Sequence, residues 1–197
     1  MELIKSDQID LNLAADLADP PQPRDHGKLH VSDLINEVAR LSGYRKYYYG
    51  NEPSPQGWNI MAMGRLWEAM VRPAVQARAT EQGVFFRSQL IKEVDGIVGS
   101  LDGGLTTLDL TRWLAVIEIK TRWTSTGDPC EHWRWMVQGM AYCWMLQVRK
   151  LWMPVLYFPR GGGPNVEFWL HEIEFEPMEL VENWQLLLNA KKSLEAR

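Results

Sequence analysis

The stretch Val116-Ile117-Glu118-Ile119-Lys120 decides which fold this sequence is expected to adopt. It closes the segment 113–120, which is rich in β-branched and aromatic residues, contains no Gly or Pro, and therefore predicts a β-strand. Because side chains on a strand alternate between its faces, we expect Glu118 and Lys120 to point the same way, about 7 Å apart. The isoleucines on either side of Glu118 then face the core, and one acid and one base face a single site.

An acid and a base on one strand suit phosphodiester hydrolysis. A carboxylate can hold a divalent metal ion that polarises the phosphate and lowers the pKa of a bound water, while an ammonium group orients the nucleophile or offsets developing charge. Asp102 would supply a second carboxylate. Mg²⁺ usually takes one or two protein carboxylates, which suits Asp102, Glu118 and the backbone carbonyl of Ile119. Taken alone, a Glu and a Lys at this spacing more often form an exposed ion pair on an ordinary sheet.

Four motifs in a fixed order give these residues a wider context. Asp102 and the pair Glu118 and Lys120 are followed by Gln138-Gly139-Met140-Ala141-Tyr142 and preceded by Gly64-Arg65-Leu66-Trp67-Glu68. In this arrangement the chain resembles the PD-(D/E)XK nuclease superfamily, and within it the RecB-like exonucleases, which include phage recombination exonucleases of the lambda type. The resemblance covers roughly residues 30 to 175.

The motifs match the family pattern to different degrees. The Asp, the E-x-K and the Q-x-x-x-Y signature of the RecB-like branch are matched in full. Glu68 stands where that branch has a His in its G-x-x-x-H motif and where other branches of the superfamily use a Glu. Leu101 stands where the Pro that names the superfamily would be.

The resemblance implies an α/β fold with a restriction-endonuclease-like core, a mixed β-sheet flanked by helices. It implies a Mg²⁺- or Mn²⁺-dependent deoxyribonuclease, most specifically an end-dependent exonuclease of recombination, repair or phage DNA metabolism. The catalytic residues would be Glu68, Asp102, Glu118 and Lys120, the metal ligands Asp102, Glu118, Glu68 and the Ile119 carbonyl, and the substrate-binding residues Gln138, Tyr142, Arg122 and Arg65. DNA is the expected partner, with a recombination or single-strand annealing protein and a homo-oligomer as further associations.

Two other function classes stay open. A structure-specific or site-specific endonuclease would share the metal chemistry and differ only in its substrate channel, which the sequence does not expose. A catalytically silent module that binds DNA or a protein partner could keep the same fold. Cleavage of linear against circular DNA, together with stabilisation by a divalent cation, distinguishes the three classes.

Length and composition set the outer limits. With 197 residues, 46% of them hydrophobic, we expect a single nuclease domain at 29–197 with a sizeable core. Residues 1–28, with the breaker cluster Asp19-Pro20-Pro21-Gln22-Pro23, are expected to form a poorly ordered N-terminal arm. The net charge of −4 argues against a broadly basic nucleic-acid-binding surface. Basic residues nevertheless recur near the motifs: Arg65, Arg72, Lys120, Arg122 and Arg134.

The cysteines and the apolar runs exclude several protein classes. Cys130 and Cys143 form no C-x-x-C pair, which argues against a zinc site, a disulfide framework and an iron–sulfur cluster. No apolar run approaches the about 20 residues that a membrane span requires. We therefore expect no membrane partner and a cytoplasmic location in a bacterium or a phage-infected cell.

The remaining patterns predict the other elements. A helix with Ser32 as N-cap is expected at 29–49, ending in an aromatic and basic patch, and a second helix is expected from Asn59. A hairpin at Asp95-Gly96 joins two strands, the second of which ends at Asp102 before Gly103-Gly104. The rest of the chain is predicted to form a helix after Asp128-Pro129, strands at 151–158 and 166–175 around a Gly-rich loop at 161–164, and a closing helix at 176–197.

Overall fold

The computed structural model describes residues 27–43, 55–122, 127–158 and 167–197, with side chains in the second range described from residue 62 onward. The elements of these residues are β1 (Leu29–His30), α1 (Val31–Leu41), α2 (Pro55–Glu81), β2 (Val84–Val94), β3 (Ile97–Thr107), β4 (Trp113–Ile117), β5 (Lys120–Arg122), a 3-10 helix (Pro129–Glu131), α3 (Trp133–Leu146), β6 (Lys150–Tyr157), β7 (Glu167–Glu174) and α4 (Pro177–Glu195). Residues 1–26 of the arm predicted at 1–28, the patch at 44–49 and the Gly-rich loop at 161–164 lie outside the described residues.

The strands form one mixed sheet. β2, β3 and β4 make an antiparallel meander, as the hairpin signal at Asp95-Gly96 predicted. β4 and β5 both run parallel to β6, β7 is antiparallel to β6, and the short β1 lies parallel to the start of β3. With helices packed on it, the sheet confirms the predicted α/β fold class. Within the described residues, none of the helices combines the length and the apolar composition that crossing a bilayer requires.

Each face of the sheet has its own core. The larger core packs α1, α3 and α4 against one face and includes Val116 of β4 and Leu151 of β6. The smaller core, which we call the α2-side core, packs α2 against the other face and includes Ala115 and Ile117 of β4. Neighbouring residues of β4 thus enter opposite cores, as the alternation of a strand requires.

The prediction that the second hairpin strand ends at Asp102 is wrong, because β3 continues to Thr107. The two glycines that suggested an end are needed for close packing inside the strand. A Cβ on Gly103 would lie 2.8 Å from the backbone oxygen of Arg87, and a Cβ on Gly104 would lie 2.8 Å from the Trp113 ring. Glycine in a strand interior often marks such a close approach.

Three other predicted boundaries also differ. The first helix begins at Val31 instead of being capped by Ser32, and the carboxylate of Asp33 accepts a hydrogen bond from the His30 N–H at 3.0 Å. The second helix begins at Pro55, four residues before Asn59, because Pro suits the first turn of a helix. The predicted start at Asp128-Pro129 forms, with Asp128 accepting from the Cys130 N–H, but it makes a 3-10 turn before α3.

A buried carboxylate joins the first helix to the last one. Glu37 of α1 has a fully buried side chain that accepts hydrogen bonds from Arg40, from the Ser193 hydroxyl of α4 at 2.7 Å and from Arg197 at 2.6 Å. The hydrogen bonds from Arg40 lower the pKa of Glu37 to about 2, against the opposing effect of burial, and Ser193 and Arg197 add to them. The ionised form of Glu37 therefore stabilises the contact between α1 and α4.

Glu37→Gln is expected to destabilise the protein by about 2 kcal/mol at neutral pH, because it weakens hydrogen bonds to a charged group. Since the pKa of Glu37 is lowered on folding, its contribution is present above the unfolded value of 4.5 and is lost as the pH falls towards about 2. Urea unfolding of both proteins at about pH 7 and about pH 3 measures the difference, which should shrink at the lower pH. Glu81→Gln, which breaks an exposed ion pair with Arg78, should change stability by less than about 1 kcal/mol.

Candidate active site

The site begins where β3 and β4 stop pairing. Their register ends at the pair Gly103 and Ile117. Beyond it, the N–H of Ile119 donates to the carboxylate of Asp102 at 2.7 Å, so a side chain takes the place of a backbone partner. This exchange explains why the predicted strand 113–120 is broken into β4 and β5.

The chain on the other side of the break stays in register with β6. Ile117 pairs with Trp152 and Lys120 pairs with Val155, and between them the Glu118 N–H donates to the Trp152 carbonyl at 3.0 Å. One side of the E-x-K segment is therefore held against β6, which keeps the same parallel register before and after Glu118 and Ile119. The other side opens at Asp102 and exposes the space between two strands to side chains.

Glu118 is a buried acid, with only 2% of its surface exposed. Its Oε1 accepts a hydrogen bond from Lys120 Nζ at 2.6 Å. Its Oε2 is buried and has no hydrogen-bond donor among the described residues. Burial, followed by the charge of Asp102, raises the pKa of Glu118 well above its ordinary value, although the charge and hydrogen bond of Lys120 and the backbone N–H of Asp102 oppose the rise. An unshared carboxylate oxygen in such a place favours a bound cation.

Lys120 lies between Glu118 and the helix α3. Its Nζ donates to Glu118 and, at 2.8 Å, to the side-chain oxygen of Gln138. Burial alone would lower the pKa of Lys120, but the charges of Glu118, Asp102 and Glu68 outweigh it and raise that pKa. The Lys120 side chain is therefore held as an ammonium group.

The Q-x-x-x-Y pair extends this network along α3. Gln138 Nε2 donates to the Tyr142 hydroxyl at 3.0 Å, one helical turn away. Tyr142 is buried, and burial together with the charge of Glu118 raises its pKa, so the hydroxyl stays protonated. A continuous hydrogen-bonded chain thus runs from Glu118 through Lys120 and Gln138 to Tyr142.

Glu68 approaches from α2 on the other side of the sheet. It forms an ion pair with Arg72 at 3.3 Å and shares a helix face with Arg65, three residues earlier. The same helix comes close to β5, since a Cβ on Gly64 would lie 3.7 Å from the Thr121 hydroxyl. In the part of the chain that the structure describes, no three His, Cys, Asp or Glu side chains are grouped as a metal site. Asp102 nevertheless interacts electrostatically with Glu118, and the charges of Asp102, Glu118 and Glu68 all act on Lys120.

Arg122 follows Lys120 by two residues and ends β5. Its Nη1 is buried and has no hydrogen-bond partner among the described residues. It lies beside Gly127 and near His132, whose pKa is lowered by burial and by the charge of Arg122. His132, which ends the 3-10 turn before α3, is thus a neighbour of Arg122, a predicted substrate-binding residue.

Gln89 is a neighbour of the site that sequence reasoning missed. The β2–β3 register pairs Ser88 with Gly103 and Leu90 with Leu101, which places Gln89 opposite Asp102. The segment 85–94 looks like an ordinary strand, so nothing in its composition marks this position.

Comparison with known proteins finds no matching family model and no matching curated protein. The crystal structure of SSO0001 is similar to this chain, with 14% identity over 93% of this chain and 85% of that one and a TM-score of 0.52. This likeness shows a shared fold.

Exonucleases are also among the similar solved structures. LHK-Exo, an alkaline exonuclease from Laribacter hongkongensis, solved in complex with dAMP, matches with 17% identity over 86% of this chain and 89% of that one, at a TM-score of 0.49. A phage-related exonuclease from Haemophilus somnus 129PT matches with 14% identity over 81% and 78%, at a TM-score of 0.41.

In metal-free protein, Glu118 should make stability fall as the pH rises. Because its pKa is raised on folding, the folded state holds more protons than the unfolded state from about pH 4.5 upwards, so ionisation opposes folding in that range. Glu118→Gln removes this effect. As the pH rises, the unfolding free energy of the variant should therefore increase relative to that of the wild type, by up to about 1.4 kcal/mol per pH unit. Urea unfolding with chelator between about pH 5 and about pH 8 measures it, and parallel profiles for the two proteins would contradict the assignment.

Proposed function

We propose that the chain is a metal-dependent deoxyribonuclease whose site is built around Asp102 and Glu118. The observation that carries the proposal is the buried carboxylate of Glu118, which has one oxygen on Lys120 and a second oxygen without a donor among the described residues. Asp102, held by the Ile119 N–H, adds a second negative charge next to it. When both acids are ionised, buried Glu118 and half-buried Asp102 carry one more negative charge than Lys120 balances, and a divalent cation would neutralise the excess.

The donor set fits a hard cation. Asp102, Glu118 and the Ile119 carbonyl offer oxygen atoms only, which Mg²⁺ and Mn²⁺ prefer over the nitrogen and sulfur ligands of zinc sites. Glu68 would act from α2, as a further ligand or by holding water. A bound ion would supply a water of lowered pKa and neutralise charge on the phosphate.

Lys120 would act directly on the reacting groups. Its ammonium group can orient the attacking water and offset negative charge that develops on the phosphate oxygens. Gln138 holds Lys120 in place and Tyr142 holds Gln138, so the position of the Lys120 ammonium group is fixed before substrate binds. A charge that is already in place costs no reorganisation at the moment of reaction.

DNA is the proposed substrate. Arg122 and Arg65 lie on the two elements next to the acids, and the buried Nη1 of Arg122 is a donor that a phosphate oxygen could satisfy. Cleavage from a DNA end is favoured by the Q-x-x-x-Y signature, which is the mark of the RecB-like exonucleases that the chain resembles. In this proposal residues 29–197 are a single nuclease domain.

Lys120→Ala should lower the rate of DNA cleavage by about 100-fold or more, because it removes a preorganised charge from the site. The assay compares linear with covalently closed circular DNA, in Mg²⁺, in Mn²⁺ and with chelator. Metal-dependent loss of linear DNA only, strongly reduced in the variant, is the expected result. Lys28→Ala, which removes an exposed lysine from its ion pair with Glu93, is the matched control and should keep wild-type activity.

Other outcomes assign the chain to one of the other classes. Metal-dependent cutting of the circle would make the protein an endonuclease at the same site. Absence of cutting, with no stabilisation by either metal, would contradict the proposal and favour a binding module. Full activity in a folded Lys120→Ala protein would overturn the role given to that residue.

A further inference from the structure

Gln89 has an unusual backbone for a residue inside a strand. Four non-glycine residues among those described have a positive φ, and three of them, Asp95, Leu110 and Gln147, lie in turns or at a helix end. Gln89, with φ of 51°, lies in the middle of β2. A side chain other than glycine seldom adopts this left-handed conformation, and where it does so the surroundings must hold it there.

The strand changes face at this position. Phe86 belongs to the α2-side core, whereas Leu90, four residues later, belongs to the larger core on the other face. A regular strand would place residues four apart on the same face. The left-handed backbone of Gln89, between them, accounts for the change of face, because it rotates the following part of the strand about its axis in a way that an extended residue does not.

β3 changes face at the same point. Leu101 belongs to the larger core and Leu105 to the α2-side core, although they too are four residues apart. Gly99 faces Tyr142 and Gly104 faces Leu146, so two positions an odd number apart both face α3. The break in β3 therefore falls next to Asp102, which lies opposite Gln89.

The break decides which face of the sheet Asp102 occupies. In β4, Val116 enters the larger core while Ala115 and Ile117 enter the α2-side core, so Glu118 continues the face of Val116. Asp102 is the next β3 residue after the Gly103–Ile117 pair and shares that face with Glu118. Without the change of face, Asp102 could share the face of Glu118 only if the residues before it in β3 left the larger core, because neighbouring residues of a regular strand alternate between its faces.

We propose that Gln89 is a positioning residue for Asp102: its left-handed backbone makes the paired strands change face, so that the Asp102 carboxylate reaches the Ile119 N–H and joins Glu118. The effect of Gln89 on metal binding rests on the proposed function, whereas its effect on the hydrogen bond between Ile119 and Asp102 does not. The assignment concerns the backbone of Gln89 and not its side chain. Gln89 acts through the direction of the strand.

The test compares substitutions that tolerate a positive φ with one that does not. Gln89→Gly and Gln89→Asn can keep the left-handed backbone, whereas the β-branched side chain of Gln89→Val favours an extended one. Ser88→Val, at the neighbouring exposed and extended position, is the matched control. If Gln89→Val does not fold, Gln89→Ala takes its place, with an effect between those of Gly and Val.

Amide hydrogen exchange of Ile119, followed by NMR with ¹⁵N-labelled isoleucine, reports the Asp102 hydrogen bond directly. Ile117, which pairs with Gly103 and Trp152, is the internal reference. Gln89→Val should make the Ile119 amide exchange at least about tenfold faster relative to that of Ile117. It should also lower the apparent Mg²⁺ affinity, measured from the Mg²⁺-induced rise in the unfolding midpoint, by about tenfold, because loss of supporting contacts has an effect of that size at metal sites. Gln89→Gly, Gln89→Asn and Ser88→Val should match the wild type in both measurements.

The outcomes separate this inference from the proposed nuclease. An unchanged Ile119 exchange rate in folded Gln89→Val, or loss of protection in Gln89→Gly, would overturn the positioning role even if the wild type cleaves DNA. Faster Ile119 exchange in Gln89→Val alone would support the positioning role even if the wild type neither binds Mg²⁺ nor cleaves DNA, and in that case only the nuclease proposal fails.

Discussion

The hydrogen bond from the Ile119 N–H to the Asp102 carboxylate, at 2.7 Å, is the contact on which the rest of the site depends. In an uninterrupted sheet, β3 would satisfy this N–H with a backbone carbonyl and would cover Glu118. Because a side chain satisfies it instead, β3 and β5 separate without leaving a buried donor unpaired, which would cost about 1–3 kcal/mol. The opening between the strands is thus stable, and it is lined by Asp102, Glu118 and Lys120.

The charges in this opening are only partly balanced. One ammonium group faces two acids, and its second hydrogen bond goes to the neutral Gln138. Such an arrangement is a poor choice for stability alone, since replacing buried ions by apolar residues is often neutral or stabilising. It is useful when the missing positive charge arrives with a ligand, and this is why the unpartnered Glu118 oxygen carries more weight than the E-x-K pattern itself.

Much of the fold follows from local patterns in the sequence. The Asp95-Gly96 turn fixes the hairpin, the Asp128-Pro129 pair fixes the approach to α3, and the spacing of Gln138 and Tyr142 puts them on one helix face, where the structure brings them to Lys120. The extension of β3 beyond Asp102 could not be predicted in this way. Glycines that end a strand and glycines that let two layers approach look alike until the neighbours Phe86 and Trp113 are known.

The relation between Gln89 and Asp102 was equally hidden, because it depends on strand register and on a single backbone dihedral angle. Glu68 is an intermediate case. Its place on the second helix follows from the hydrophobic pattern, but its distance from the acids depends on how α2 lies across the sheet. The local chemistry of this protein is therefore encoded in short motifs, whereas the geometry between strands comes from long-range packing.

The central claim is that Asp102 and Glu118 together bind a divalent cation, and crystals soaked in Mn²⁺ test it most directly. An anomalous difference map should show a peak about 2.1 Å from an oxygen of each carboxylate, next to the Ile119 carbonyl. The same soak of Glu118→Gln crystals should lose the peak. Wild-type crystals with no peak between these residues, or with Mn²⁺ bound elsewhere while the Glu118 oxygen stays unpaired, would contradict the account.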